Sequence, residues 1–498
     1  MAKRKRGVEA ATSKSTSDGH QAETSKVTKT NGHVDVKTAV PVIQIVAGSY
    51  ERVLHGITAT ISDLSSSKSS PSVQFTDSFL FNAHASGVRC LALSPMPGPE
   101  SSENQSVYLA TGGSDEKINV YSLSASPVAS KDRIPMPSLG NNAISEDPRN
   151  RELGTLMHHS SSITALHFPT RSKLLSGSED NTIAVTRLKD LTVVSTIKAP
   201  RPKVQGQPSG DTAPPGATPA GINDFAVHPS LKLMLSVGRG ERCMRLWNLV
   251  TGKKAGVLNF SRDVLQSVKE NKYSSGEGRK IRWHPDGAEF AVAFERGAVV
   301  FGEDSKAKCK VLPEPLTKLH QISYLLLSIS EKEKLALFVV STEDGRVLFY
   351  RTDEMTTSAA NGAGGDSPSI PNATLCASVG GRSAGVNNRI KDFEVLFLPG
   401  TQQEQQDLAI VAASSDGTVR IFHIASTDIL TAIKSRKHAQ LGTVIGSYET
   451  GNRITCLKAF VMLPPSTHDD ESGGEDSGFG GFDGTEEESE GESSSEDD

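Results

Sequence analysis

The sequence predicts an all-β chain: a seven-bladed β-propeller closed by N- and C-terminal strands sharing one blade, with disordered segments at both ends. Three observations carry the prediction. A strand–turn–strand unit recurs along residues 40–465, helical periodicity appears nowhere over a useful length, and the two ends of that region supply complementary pieces of one unit.

The clearest copies, in chain order, are YLATGGSDEKINVYSL (108–123), KLLSGSEDNTIAVTRL (173–188), LMLSVGRGERCMRLWNL (233–249), LFVVSTEDGRVLFYR (337–351) and AIVAASSDGTVRIFHI (409–424). EFAVAFERGAVVFGED (289–304) is a degenerate copy. Ahead of them stand further apolar alternations: VRCLALSP (88–95), ITALHFP (163–169), INDFAVHP (222–229), KIRWHP (280–285), ISYLLLSI (322–329) and IKDFEVLFLP (390–399). Asp-Gly, Glu-Asp-Asn and Asp-Glu between the strands supply the backbone conformations and side-chain hydrogen bonds of tight hairpins. QIVAGSYERVLHGITA (44–59) reads as the second and third strands of a split unit, and NRITCLKAFVML (452–463) as its first. Joining both ends in one blade removes exposed sheet edges.

Four stretches read as inserted loops, at 124–150, 201–220, 261–279 and 353–388, because each is dense in Pro, Gly, Ser, Asn or charge. Without them each of seven units takes roughly 47 residues, near the ~40–45 of a four-stranded WD40 blade. The usual Trp-Asp ending of the third strand is missing; Trp247 with Asn248 comes nearest. Tyr121, Thr186, Phe301, Tyr350 and Phe422 stand at the equivalent place. Turn aspartates recur at Asp115, Asp180, Asp344 and Asp416, which gives them a repeated structural job rather than an acid/base one.

The 498 residues carry a net charge of −5, unevenly spread. Residues 1–39 hold eight Lys/Arg against four Asp/Glu, whereas 469–498 hold fourteen acidic residues and no basic one. Few large apolar side chains occur in 1–39 or 466–498, so a basic arm and an acidic tail are expected to be disordered. Lys3, Arg4, Lys5 and Arg6 form a compact cationic run suited to nuclear import or weak RNA-phosphate contact. In the tail, Ser489 and Ser493 each have an acidic residue three positions on and are candidate phosphorylation sites. No apolar run approaches the ~18–20 residues of a membrane span, and MAKRKRG lacks the apolar stretch of a secretory signal. The five cysteines stand singly, which argues against a zinc ribbon or a disulfide scaffold and suits a reducing compartment.

VAGSYERVLHGI (46–57), ELGTLMHHSSSITALHF (152–168), LLSGSEDNTIAV (174–185), LSVGRGERCMRLWNLVTGK (235–253), NNRIKDF (387–393) and NRITCLKAF (452–460) occur in this order. Together they resemble the WD40 family of p21-activated-kinase-interacting proteins, whose fungal member is the maintenance-of-killer factor. The resemblance implies a non-catalytic scaffold of the nucleus and nucleolus, acting in ribosome biogenesis. Its expected task is assembly of the large (60S) subunit precursor and rRNA processing, through ribosomal or assembly-factor proteins and rRNA contact. Animal relatives also imply restraint of a p21-activated kinase. Relatives can end in a lysine-rich tail; this chain ends acidic, so a role for a basic tail does not carry over.

Little in the chain suggests catalysis. Phosphate-loop, nucleophile-elbow and zinc-protease motifs are missing, and no cofactor, metal, small-molecule substrate or membrane is expected. Gly238, Arg239 and Gly240 read as a hairpin turn. His84 and His159 fall where many WD40 blades place a structural histidine. The most functional-looking feature is positional: Arg89, Lys280, Arg389 and Arg453 stand at the start of first strands, around one mouth of the central channel. Arg239, Arg242 and Arg296 are expected to join them through the second turn, giving a face suited to carboxylate or phosphate partners. Cations and small residues, rather than carboxylates or histidines, are expected along the channel, which disfavours a channel-sited hydrolase.

Overall fold

A computed structural model describes residues 40–62, 71–98, 105–128, 147–201, 220–270, 274–329, 334–356, 370–399, 407–435 and 438–464. Strand alternation with β-branched and aromatic residues produces the recurring sheets. First come β1 (Val42–Ser49), β2 (Val53–Ser62) and β3 (Ser72–Asn82). A second run holds β4 (Val88–Leu93), β5 (Ser106–Gly113), β6 (Ile118–Ser124) and β7 (Arg151–Leu156). The third is β8 (Ile163–Thr170), β9 (Lys173–Ser178), β10 (Thr182–Arg187) and β11 (Thr192–Lys198). The fourth is β12 (Ile222–Val227), β13 (Leu233–Gly238), β14 (Cys243–Asn248) and β15 (Lys253–Asn259), followed by α1 (Arg262–Ser267).

Two further runs are β16 (Lys280–Trp283), β17 (Glu289–Ala293), β18 (Ala298–Gly302) and β19 (Ala307–Val311), then β20 (Leu319–Ser328), β21 (Lys334–Thr342), β22 (Arg346–Thr356) and β23 (Asn372–Gly380). One parallel pair, Lys310 with Asn372, bridges them into a larger sheet. The last run is β24 (Ile390–Phe397), β25 (Leu408–Ser414), β26 (Thr418–Ile424), α2 (Ser426–Ser435), β27 (Ala439–Gln440), β28 (Thr443–Glu449) and β29 (Ile454–Val461). β28 completes the sheet of β24–β26, and β27 adds beside β23.

β29 does not stay with its sequence neighbours. It pairs antiparallel with β1, Ile45 opposite Ala459 and Ala47 opposite Leu457, so the first sheet runs β29-β1-β2-β3. The chain's two ends therefore close one sheet, as the split unit required. Among the described residues the first strands β29, β4, β8, β12, β16, β20 and β24 follow one another as neighbours, and β24 returns to β29. A separate apolar cluster fills each seam between adjacent sheets. Val46, Leu54, Leu91 and Leu109 join the first to the second; Ala413, Ile421, Ile57 and Leu457 join the last back to the first. The third-strand positions Tyr121, Thr186, Trp247, Phe301, Tyr350 and Phe422 are all buried, so varied side chains do the packing that a repeated Trp would do.

Two expectations need correction. The 353–388 loop is not one loop: β22 continues to Thr356, and β23 lies inside the segment as the fourth strand of its sheet. Its buried residues are largely small (Ala373, Cys376, Ala377, Ser378) and gave no strong apolar alternation, and Ser, Gly and Asn on both flanks hid it. Helices also occur. α1 lies in the 261–279 loop, with the Ser261 hydroxyl accepting from the Val264 amide at 3.3 Å. α2 is short but amphipathic, burying Ile429, Ala432 and Ile433 with Asp428 in its first turn and Lys434 in its last. Ten residues were too few to register as a helical period. Most of the 124–150 and 201–220 loops lie outside the described residues, as do the arm and the acidic tail.

Candidate partner-docking face

An antiparallel four-stranded unit places the start of its first strand and the turn between its second and third strands at one edge. Backbone hydrogen bonds fix this edge in unit after unit: Ser114 donates to Gly87 O at 3.1 Å, Arg239 to Gly221 O at 2.9 Å, Ser415 to Arg389 O at 3.0 Å and Tyr50 to Arg453 O at 2.9 Å. All seven expected cations thus sit on the same edge of their sheets. Arg89, Arg242, Arg296, Arg389 and Arg453 are exposed, and Arg239 and Lys280 half-buried.

Several are bridged by glutamates that sequence reading missed. Glu179 takes Arg89 at 3.1 Å from one neighbouring sheet and Arg239 at 2.9 Å from the other. Glu295 takes Arg279 at 3.5 Å and Lys318 at 2.9 Å, and Glu343 lies 3.9 Å from Arg389. One carboxylate between two cations recurs, and exposed pairs of this kind contribute little to stability. Arg242 instead donates to the Ser275 and Ser274 carbonyls, and the Arg453 guanidinium lies over the exposed ring of Tyr50 at 5.9 Å.

β-bulges aim side chains into the channel. Register shifts between Val88 and Cys90, Ile163 and Ala165, Leu319 and Ile322, and Ile390 and Asp392 leave Arg89, Thr164, His320 with Gln321, and Lys391 unpaired in their ladders. All of these line one cavity of about 760 Å³, together with Lys280, Arg282 and Lys458.

The channel departs from expectation, because Asp224, Asp392, Glu394, His167, His284 and His320 also line it. The carboxylates are engaged by the scaffold. Asp224 accepts from the Ile281 amide at 3.1 Å and pairs with Arg282 at 2.8 Å. Asp392 accepts from the Leu457 and Phe393 amides at 2.9 and 3.0 Å and from Gln321 at 3.0 Å. Each aspartate ties its own first strand to the backbone of the next. Burial raises the Glu394 carboxyl, and the Lys458 ammonium paired with it offsets that cost.

The turn aspartates build polar networks at the same edge. His84 joins Asp115 at 2.9 Å to the Thr111 hydroxyl at 2.8 Å; His159 joins Asp180 at 3.0 Å to Ser176 at 2.8 Å. Trp247 closes the equivalent position of the fourth sheet, donating to Ser236 at 2.8 Å. Asp344 pairs with Arg346 at 2.7 Å, and Asp416 accepts from Asn388 at 2.6 Å and from the Thr418 amide at 3.1 Å. His158 shares Ser176 with His159, and burial holds its imidazole down at about 4.

The described residues offer no activated nucleophile among the cysteines. Burial pushes the thiols of Cys90, Cys309 and Cys376 up to about 12, 12 and 11, and raises Cys243 and Cys456 too, so all stay protonated at neutral pH. Among those residues no group of three or more His, Cys, Asp or Glu side chains is placed to hold a metal ion. The import run Lys3, Arg4, Lys5 and Arg6 and the candidate phosphorylation sites Ser489 and Ser493 lie outside the described residues.

The family model for the WD domain, G-beta repeat, matches residues 150–185, which run from the start of β7 into β10. These residues carry a WD40 repeat. The chain is similar to Protein MAK11 of Saccharomyces cerevisiae, 26% identical over 432 residues that span 83% of the chain and 82% of that protein. It is also similar to p21-activated protein kinase-interacting protein 1-like of Xenopus laevis, 23% identical over 421 residues, 84% of the chain and 82% of that protein. Shk1 kinase-binding protein 15 of Schizosaccharomyces pombe is 26% identical over 219 residues, 44% of the chain and 47% of that protein.

Proposed function

We propose that this chain is a non-catalytic, seven-bladed WD40 scaffold in ribosome biogenesis, acting in the nucleus and nucleolus on precursors of the large subunit. The observation that carries the reading is the gathering of cations from different sheets at one edge of a closed ring of strands. A rigid ring holds them at fixed spacing, so one face docks a ribosomal or assembly-factor protein while loops and termini contact rRNA or neighbouring factors. The likeness to MAK11 over most of both chains supports the ribosomal assignment. The engagement of channel carboxylates by backbone amides and cations supports a structural channel rather than an active site.

Sedimentation of the tagged chain through a sucrose gradient, with RNA analysed in each fraction, tests the reading. The scaffold role gives co-migration with large-subunit precursor rRNA. A second reading is restraint of a p21-activated kinase by binding its regulatory region; the names of the vertebrate relatives support the kinase-binding part of it. It gives a light fraction that carries kinase and no rRNA, and that outcome would displace the first.

A further inference from the structure

We propose that Lys280, His320 and Lys391 form a carboxylate-binding site in the channel mouth that receives an acidic peptide segment of a partner protein. The inference rests on the docking-face reading above and adds the partner's chemistry. The three side chains come from β16, β20 and β24, the first strands of three consecutive sheets, and line the same cavity of about 760 Å³.

Among the described residues neither lysine makes an ion pair or side-chain hydrogen bond, and His320 Nε2 is buried with no partner. The carboxylates nearest along the strands are engaged: Asp224 by Arg282 and the Ile281 amide, Asp392 by two amides and Gln321, Glu394 by Lys458. The surrounding field is positive. Burial, followed by Lys391, Arg389, Arg279 and Lys318, holds the imidazole of His320 down at about 4. At neutral pH it is a neutral ring that can donate one hydrogen bond, in the cavity that Lys280 and Lys391 also line.

The rim shows which anion this surface accommodates. Glu179 stands between Arg89 and Arg239, and Glu295 between Arg279 and Lys318, each carboxylate serving cations from two sheets. Lys280 and Lys391 line the same cavity, and among the described residues no carboxylate of the chain forms an ion pair with either. The cavity is recessed and lined by first strands all round, so a single extended chain bearing aspartate or glutamate fits it and a nucleic-acid duplex does not.

Fluorescence anisotropy on the full chain tests this with a labelled hexaglutamate peptide, and with a single-stranded hexauridylate as competitor. The expected result is salt-dependent peptide binding that Lys280→Gln with Lys391→Gln weakens at least tenfold. Circular dichroism checks that the variant is folded, and His320→Asn gives a milder loss without changing charge. Unchanged peptide affinity in the folded double variant would overturn the site. Tighter binding of hexauridylate than of hexaglutamate, weakened by the same variant, would also overturn it and assign the cations to RNA phosphate. Sedimentation with precursor rRNA is scored separately, so a lost peptide site and a lost ribosomal role are distinguishable.

Discussion

At the scale of single residues, the repeated aspartates do structural work that their position in the repeat foretold. Asp180 accepts from the Thr182 amide at 2.8 Å, the Ser160 amide at 3.2 Å and His159 at 3.0 Å. Although burial pushes the carboxyl up, these hydrogen bonds outweigh it and hold Asp180 well below the usual carboxylate range. Asp180→Ala leaves those donors unsatisfied, and a loss of about 1–3 kcal/mol is expected. Because the folded state binds the proton less readily than the unfolded one, this contribution is full above the ordinary value of 3.8 and fades as pH falls below it. Urea unfolding at pH 7 and pH 3 checks both points: the gap between wild type and variant should be largest at pH 7 and narrower at pH 3. The aspartates were legible because a turn residue recurring at one place in each unit has a local explanation. Glu179 and Glu295 were not, since Arg89, Arg239 and Lys318 lie on neighbouring sheets, 90 residues away in the pair of Glu179 with Arg89.

At the scale of elements, β29 carries the closure. Leu457 is fully buried in the cluster joining the last and first sheets, and its amide is the donor to Asp392. Leu457→Ala is expected to cost about 2–5 kcal/mol, as for other buried leucines, and to lower the cooperativity of unfolding if the seam opens first. Denaturant unfolding followed by fluorescence and by circular dichroism reads both effects; a neutral substitution would contradict the role given to β29. First, second and third strands were visible in sequence because they are apolar and end in recognisable turns. Fourth strands such as β11 and β15 face solvent along most of their length and carry little hydrophobic signal. β23 and α2 escaped for related reasons, one through small side chains and the other through brevity. The bulges that turn Arg89, His320 and Lys391 into the channel leave no mark that strand alternation reveals.

At the scale of the whole molecule, a ring built from one repeated unit turns a local rule into a global arrangement. A cation at the start of a first strand is unremarkable in one sheet; repeated around a closed ring, it gives a charged mouth with fixed geometry. The place of each cation at one edge of its unit followed from spacing. What did not follow was the composition of the channel, where aspartates stitch adjacent strands and, among the described residues, Lys280 and Lys391 stand without an ion pair, because adjacency between sheets is set by closure. The most direct test of the account is to purify the tagged chain carrying Arg89→Glu, Arg389→Glu and Arg453→Glu together, alongside wild type, and measure large-subunit precursor rRNA and proteins recovered with each. The account predicts that the folded variant loses most of that association. Undiminished recovery would contradict the claim that this face is the docking surface.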